Sequence, residues 1–249
     1  FMKPGEVLIG NLPTGSGKSL LFQWPILKDK FYKGLTLVVV PTISLALDQE
    51  RRINDLLKKN KITFNQRFAY YSGLNENERQ IIKTNIRENR QGILFTSPEM
   101  VIDSLLPSLY RAVEGGSLRY FFIDEAHLLA DWGDSFRTDY QKLAAVRNGL
   151  LEATKGQQFK TILLSATFNS VNLNLIDNLF RPIEKIHFLS SIMLRPEPKY
   201  YVAKFDSKEQ KFTALINILN NVPRPCIIYF TEPDDAERCK DLIKKNGFD

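Results

Sequence analysis

The chain has 249 residues, with 34 Lys and Arg against 28 Asp and Glu and a net charge of +6. That length exceeds one ordinary α/β domain, and the mild basic excess favours an anionic partner such as nucleic acid. Two cysteines, Cys226 and Cys239, exclude a disulfide framework or a zinc knuckle, and no apolar run is long enough to span a bilayer. With no signal peptide at its start, the chain is expected to be soluble and intracellular, cytoplasmic in general, with the nucleoid in a bacterium or in the nucleus of a eukaryote.

The first element is the apolar run Val7-Leu8-Ile9, which reads as a buried parallel strand. It enters Pro13-Thr14-Gly15-Ser16-Gly17-Lys18-Ser19, after which Lys18-Ser19-Leu20-Leu21-Phe22-Gln23 opens a helix. Strand, glycine loop and helix in that order form a phosphate cradle. Gly15 and Gly17 let backbone N–H groups wrap a phosphate chain at the positive end of the helix. Lys18 reaches the β and γ phosphates, and the Ser19 hydroxyl takes one Mg²⁺ position. The leading position of the G-x-x-x-x-G-K-[ST] pattern is Leu12, so alone the segment also reads as a Gly/Ser turn capped by Ser19.

Further along, a strand is expected over 35–40, an amphipathic helix over 44–59 and a short strand over 68–71. A polar helix follows over 75–89, a strand over 92–96 and a short helix over 99–105. Tyr120-Phe121-Phe122-Ile123 is a buried-strand run that ends in Asp124-Glu125. Carboxyl ends of parallel strands are where ligands bind in open α/β sheets. There Asp124 can hold the Mg²⁺ that bridges the phosphates, and Glu125 can polarise an attacking water. A helix over 138–152 and a strand over 160–164 complete a βα alternation, which predicts a parallel sheet with helices on both faces.

The composition changes near Ser190. Residues 191–199 contain Pro196 and Pro198 and read as an extended connector between a domain over 1–190 and another over 200–249. The latter is expected to hold a strand over 200–205, a helix over 208–220, a strand over 226–229 and a helix over 235–246. Two βα units cannot bury both faces of a parallel sheet, so this domain is expected to be the beginning of a larger one.

These segments resemble the superfamily 2 helicases, and among them the RecQ-like DNA helicases. Pro13 to Leu20 resembles motif I, where an apolar residue at Leu12 is usual; Val38 to Leu45 with Asp48-Gln49 resembles motif Ia, and Thr96 to Met100 motif Ib. Asp124-Glu125-Ala126-His127 is the DEAH form of motif II, Ser165-Ala166-Thr167 resembles motif III, and Ile227 to Phe230 motif IV. The stretch Asp131 to Tyr140 resembles the aromatic-rich loop that follows motif II in that family.

The resemblance implies a RecA-like lobe over 1–190 and a partial second lobe. It implies ATP and Mg²⁺ at Pro13, Thr14, Gly15, Ser16, Gly17, Lys18, Ser19 and Asp124, with Lys18, Asp124 and Glu125 catalytic. His127, Ser165 and Thr167 would couple the nucleotide to DNA. Thr42, Ser44 and Thr96 would contact DNA phosphates, although Thr42 and Ser44 equally suit helix capping. Trp132, Phe136 and Arg137 would stack on unpaired bases. The upstream adenine-reading segment has no match before Val7, and the second-lobe arginines would lie past Asp249. A chain with these bounds is therefore expected to hydrolyse little ATP alone and to need the rest of that lobe.

The function expected is an ATP-dependent DNA helicase or translocase acting on single-stranded or junction DNA. Alternatives are a DNA-dependent ATPase subunit of a remodelling or defence complex, and a DEAH-type RNA helicase.

Overall fold

The computed structural model describes residues 2–28, 34–63, 66–129, 135–154, 158–181, 185–191 and 199–248, with the backbone alone at 135–137. The chain divides into two compact units, Phe1–Leu194 and Arg195–Asp249.

In the first unit, short β-branched and aromatic runs form strands, and those inside the sheet bury both of their faces. Val7–Asn11 (β1) leads to Lys18–Lys28 (α1), Leu35–Val39 (β2) to Ile43–Lys59 (α2), and Ala69–Tyr70 (β3) to Glu76–Arg87 (α3). Ile93–Thr96 (β4) is followed by Pro98–Met100 (α4), a π-helical turn at Val101–Leu105 and Leu106–Glu114 (α5). Leu118–Ile123 (β5) runs through a 3₁₀ turn at Ala126–Leu129 into Ser135–Glu152 (α6). Lys160–Ser165 (β6), Ser170–Leu179 (α7) and Ile186–Ser190 (β7) complete the unit.

The seven strands make one sheet in the order β3-β4-β2-β5-β6-β1-β7, parallel throughout. Side chains alternate between two cores. Leu37, Val39, Phe121 and Ile123 face the layer that contains α3, α5 and α6, while Val38, Val40 and Phe122 face α1 and α2. Phe22 of α1 sets its ring edge-on to Phe95 and Phe122, at 5.7 Å from each. That contact fixes the helix that begins at the glycine loop.

The expected helix over 99–105 is part of a longer one, with the π turn joining α4 to α5. Strand β7 was not expected, and neither was α7. At the far edge, β3 is only two residues long. The Glu50 carboxylate accepts from the amides of Phe68 and Ala69 (2.7 and 3.0 Å) and pairs with Arg67 through two bonds of 3.1 Å.

In the second unit, Lys208–Leu219 (α8) and Pro233–Lys245 (α9) form as expected. Phe212 stacks on Phe230 at 6.2 Å, and Arg238 lies 4.9 Å from the centre of the Phe212 ring. Neither expected strand forms. Residues 200–205 and 226–229 make no ladder, and Tyr201, Val202, Ile227 and Tyr229 are largely exposed. A strand exists through its partners, and the described residues of this unit provide none.

Candidate active site

The sheet order turns three distant segments into neighbours. β6 lies between β1 and β5, so the glycine loop, the Ser165 turn and the acid pair open side by side at the carboxyl ends of adjacent strands. Leu12 N donates to Ser165 O at 2.9 Å and Asp124 N to Val39 O at 2.9 Å, carrying the ladder one residue past the strands.

The loop is held open by backbone geometry. Gly15 and Gly17 both have φ of +83°, the left-handed region that L side chains avoid, and nothing lies within 4 Å of where a Cβ would stand. Thr14, Gly15, Ser16 and Gly17 are exposed, and Pro13, Lys18 and Ser19 are half-buried. Lys18 folds back to donate from Nζ to Leu12 O at 3.1 Å, an arrangement that a bound phosphate would compete for. Thr14, Gly15, Gly17, Lys18, Ser19 and Glu125 share one open cleft of about 710 Å³.

Glu125 also has a left-handed backbone, φ +49°, unusual for a residue with a Cβ. The turn lets Glu125 N donate to Asp124 Oδ1 at 3.1 Å and brings Glu125 Oε2 to 3.3 Å from His127 Nδ1. Burial raises the Asp124 pKa above the ordinary carboxylate value, and the adjacent Glu125 charge raises it further. Two close carboxylates in a partly dry setting suit a cation. Hard oxygen donors from Ser19 and Asp124 fit Mg²⁺, which uses one or two carboxylates and completes its shell from phosphate and water. Among the described residues, no group of three or more His, Cys, Asp or Glu stands in a metal-binding array.

His127 Nδ1 also lies 2.9 Å from Ser165 Oγ, which accepts from Thr167 N at 3.0 Å. His127, Ser165 and Thr167 are thus one connected group. Asn11, His127, Thr167 and Asn172 border a second hollow of about 410 Å³ beside it.

The expected DNA-contacting residues divide. Thr42 is the N-cap of α2, its hydroxyl accepting from Leu45 N at 3.3 Å, and both it and Ser44 are exposed. Thr96 is different. It is fully buried and its hydroxyl donates to Tyr70 O at 2.9 Å, so it has no donor for a DNA phosphate. Trp132 lies outside the described residues. Phe136 and Arg137 stand on the first turn of α6, not on an open loop, because the helix begins at Ser135 and not near Thr138. Tyr140 is buried, its hydroxyl 3.4 Å from Asp124 O, and burial together with the nearby acids raises its pKa. It ties α6 to the acid pair and offers no stacking face. His187, given no role from the sequence, meets Glu6 at 2.7 Å at the opposite end of the sheet.

A doubly wound parallel sheet with a glycine cradle on one strand and paired acids two strands away defines a phosphate-loop nucleotide-binding protein of the RecA-like type. Residues 2–176 match the DEAD/DEAH box helicase family, and the chain belongs to it. It is 30% identical over 90% of its length to the "Probable ATP-dependent DNA helicase RecS" of Bacillus subtilis (strain 168). It is 36% identical over 66% of its length to the ATP-dependent DNA helicase RecQ of Synechocystis. The chain spans 41% and 32% of those relatives. Among solved structures, the DUF1998 helicase MrfA superposes with a TM-score of 0.70 at 21% identity, over 97% of this chain and 36% of that one, a likeness of fold.

Proposed function

We propose that the chain is the nucleotide-binding lobe, with part of a second lobe, of a RecQ-like DNA helicase that uses ATP to move on single-stranded DNA and part strands. The observation that supports this is the adjacency of β1, β6 and β5, whose carboxyl ends carry the glycine loop, the Ser165 turn that meets His127, and the acid pair.

Lys18 would leave Leu12 O for the phosphate chain. The exposed loop amides would hold the β phosphate along the α1 axis. Ser19 and Asp124 would hold Mg²⁺, which when bound neutralises charge between the phosphates. Glu125 would orient a water and take up its proton, held in place by the turn at φ +49° and by His127. Any change at Glu125 reaches Ser165 and Thr167 through His127, so cleavage is felt on the surface beyond the nucleotide. DNA would lie along the exposed Thr42 and Ser44 at the start of α2, with Trp132, Phe136 and Arg137 as the expected stacking group.

The experiment is ATP hydrolysis by a protein carrying both lobes, with and without single-stranded DNA, beside Lys18→Ala. Lys18 is half-buried and packs into no core, so its loss should remove nucleotide binding and leave the fold. Unchanged affinity in Lys18→Ala would refute the loop's role, and hydrolysis indifferent to DNA would refute the coupling.

A further inference from the structure

Glu125 holds a conformation that its neighbours must enforce. Its φ of +49° lies in the left-handed region, where the Cβ of an L residue is crowded. The peptide that joins it to Asp124 is planar, so Asp124 O and Glu125 N turn together as one rigid unit. A flip of that unit would carry the Glu125 φ out of the left-handed region and relieve the crowding. Two hydrogen bonds oppose the flip. Glu125 N donates to Asp124 Oδ1 at 3.1 Å, and the Tyr140 hydroxyl donates to Asp124 O at 3.4 Å.

The first of these bonds is made within the turn itself, to a carboxylate that a bound cation would draw on. The second comes from another element. Tyr140 stands on α6, fully buried in the core that α6 shares with β5. A buried hydroxyl is nearly always paired, and Asp124 O is the acceptor within its reach. Burial foremost, and then the charges of Asp124, Glu125 and Glu99, raise its pKa, so the hydroxyl keeps its proton and serves as a donor. On the far side of Glu125, Leu128 N donates to Glu125 O at 3.0 Å and closes the turn.

We propose that Tyr140 is a positioning residue for ATP hydrolysis, its hydroxyl holding the Asp124–Glu125 peptide in the orientation that aims the Glu125 carboxylate. The role rests on the one proposed for Glu125 as the group that takes up the proton of the attacking water. Tyr140 itself touches neither nucleotide nor water. Without its hydroxyl the peptide is free to turn over, and Glu125 spends part of its time misdirected. The glycine loop, Lys18 and Ser19 lie on other elements and keep their places, so binding is spared while chemistry is slowed.

The test is Tyr140→Phe in a protein carrying both lobes. The ring stays in the core, so the urea midpoint should barely move. Affinity for the β,γ-imido analogue of ATP with Mg²⁺, by titration calorimetry, should match wild type. The single-turnover rate at saturating Mg²⁺-ATP should fall about 5- to 10-fold, the worth of one hydrogen bond. The factor should be the same with and without single-stranded DNA, since Glu125 serves both rates. In a Glu125→Gln background, Tyr140→Phe should cost nothing further, because no base is left to aim. A normal rate in Tyr140→Phe would overturn the proposal, as would weakened nucleotide binding or a loss confined to DNA-stimulated hydrolysis. A full further loss in the Glu125→Gln background would also overturn it, marking Tyr140 as general support for the fold. If Glu125→Gln alone turns over normally, the role of the acid pair fails and takes that of Tyr140 with it.

Discussion

His127 Nδ1 and Ser165 Oγ meet at 2.9 Å, and that contact joins the turn after β5 to the end of β6. The same hydroxyl accepts from Thr167 N, and the same ring nitrogen is within 3.3 Å of Glu125. A group so shared cannot respond to one neighbour without disturbing the others. His127→Ala and Ser165→Ala should therefore each reduce DNA-stimulated hydrolysis more than basal hydrolysis. The double variant should fall short of the sum of the two, with an interaction of about 0.5–3 kcal/mol. Simple additivity in steady-state rates with and without DNA would mean that the contact is only structural.

Glu125→Gln separates binding from chemistry. The amide keeps the size of the side chain and suits the left-handed backbone as well as glutamate does. It cannot take a proton from water. In a protein with both lobes, Mg²⁺-ATP should bind as before while turnover falls about 10²- to 10⁴-fold. Rapid-quench measurement of a single turnover decides it, and a normal rate would leave the acid pair without its proposed role.

The raised pKa of Asp124 has a consequence for pH. Burial first, and then Glu125, stabilise the protonated carboxyl in the folded chain. Its contribution to stability is therefore present in acid and is lost as pH rises from the ordinary carboxylate range through the raised value. A divalent cation competes with that proton, so Mg²⁺-nucleotide affinity should increase over the same window with release of protons. Calorimetry in buffers of different ionisation heat would show it. Asp124→Asn should abolish the proton release and make the nucleotide-free chain more stable above the window.

Arg147 is fully buried, and no carboxylate pairs with it among the described residues. It donates to Phe180 O at 3.0 Å, Gly5 O at 2.9 Å, Thr161 Oγ1 at 3.2 Å and Asn148 Oδ1 at 2.9 Å. Its guanidinium thus ties α6 to the end of α7, to β6 and to the turn before β1. Arg147→Met keeps most of the volume but leaves two buried carbonyls without donors, at about 1–3 kcal/mol each. Urea unfolding should show a loss of about 2–4 kcal/mol, and an unchanged midpoint would mean that water replaces the side chain.

The motif strands were legible because a strand buried on both faces must be apolar, and because its carboxyl end then carries the polar residues. The order of those strands was not. Nothing in residues 160–165 says that β6 enters between β1 and β5, since neighbours in a parallel sheet are chosen by long-range packing. β7 escaped notice because His187 and Ser190 break its apolar run. Arg147 sits in Leu-Ala-Ala-Val-Arg-Asn and looks like any solvated arginine on a helix. Thr96 shows the opposite failure: it stands in the expected motif, but its place at the end of a central strand turns its hydroxyl inward. The strands expected over 200–205 and 226–229 have the right residues and lack partners, which local pattern cannot report.

The two edges of the sheet are finished differently, and the difference bears on how the chain behaves in concentrated solution. At β3 the Glu50 carboxylate already occupies amide donors that an incoming strand would seek. β7 has a strand partner on one side alone among the described residues, with Phe188 53% and Leu189 49% exposed. An open, apolar edge of that kind is a template for pairing between molecules. Aggregation should therefore begin at β7 and not at β3, and Phe188→Lys should raise the concentration at which the chain stays monomeric in light scattering.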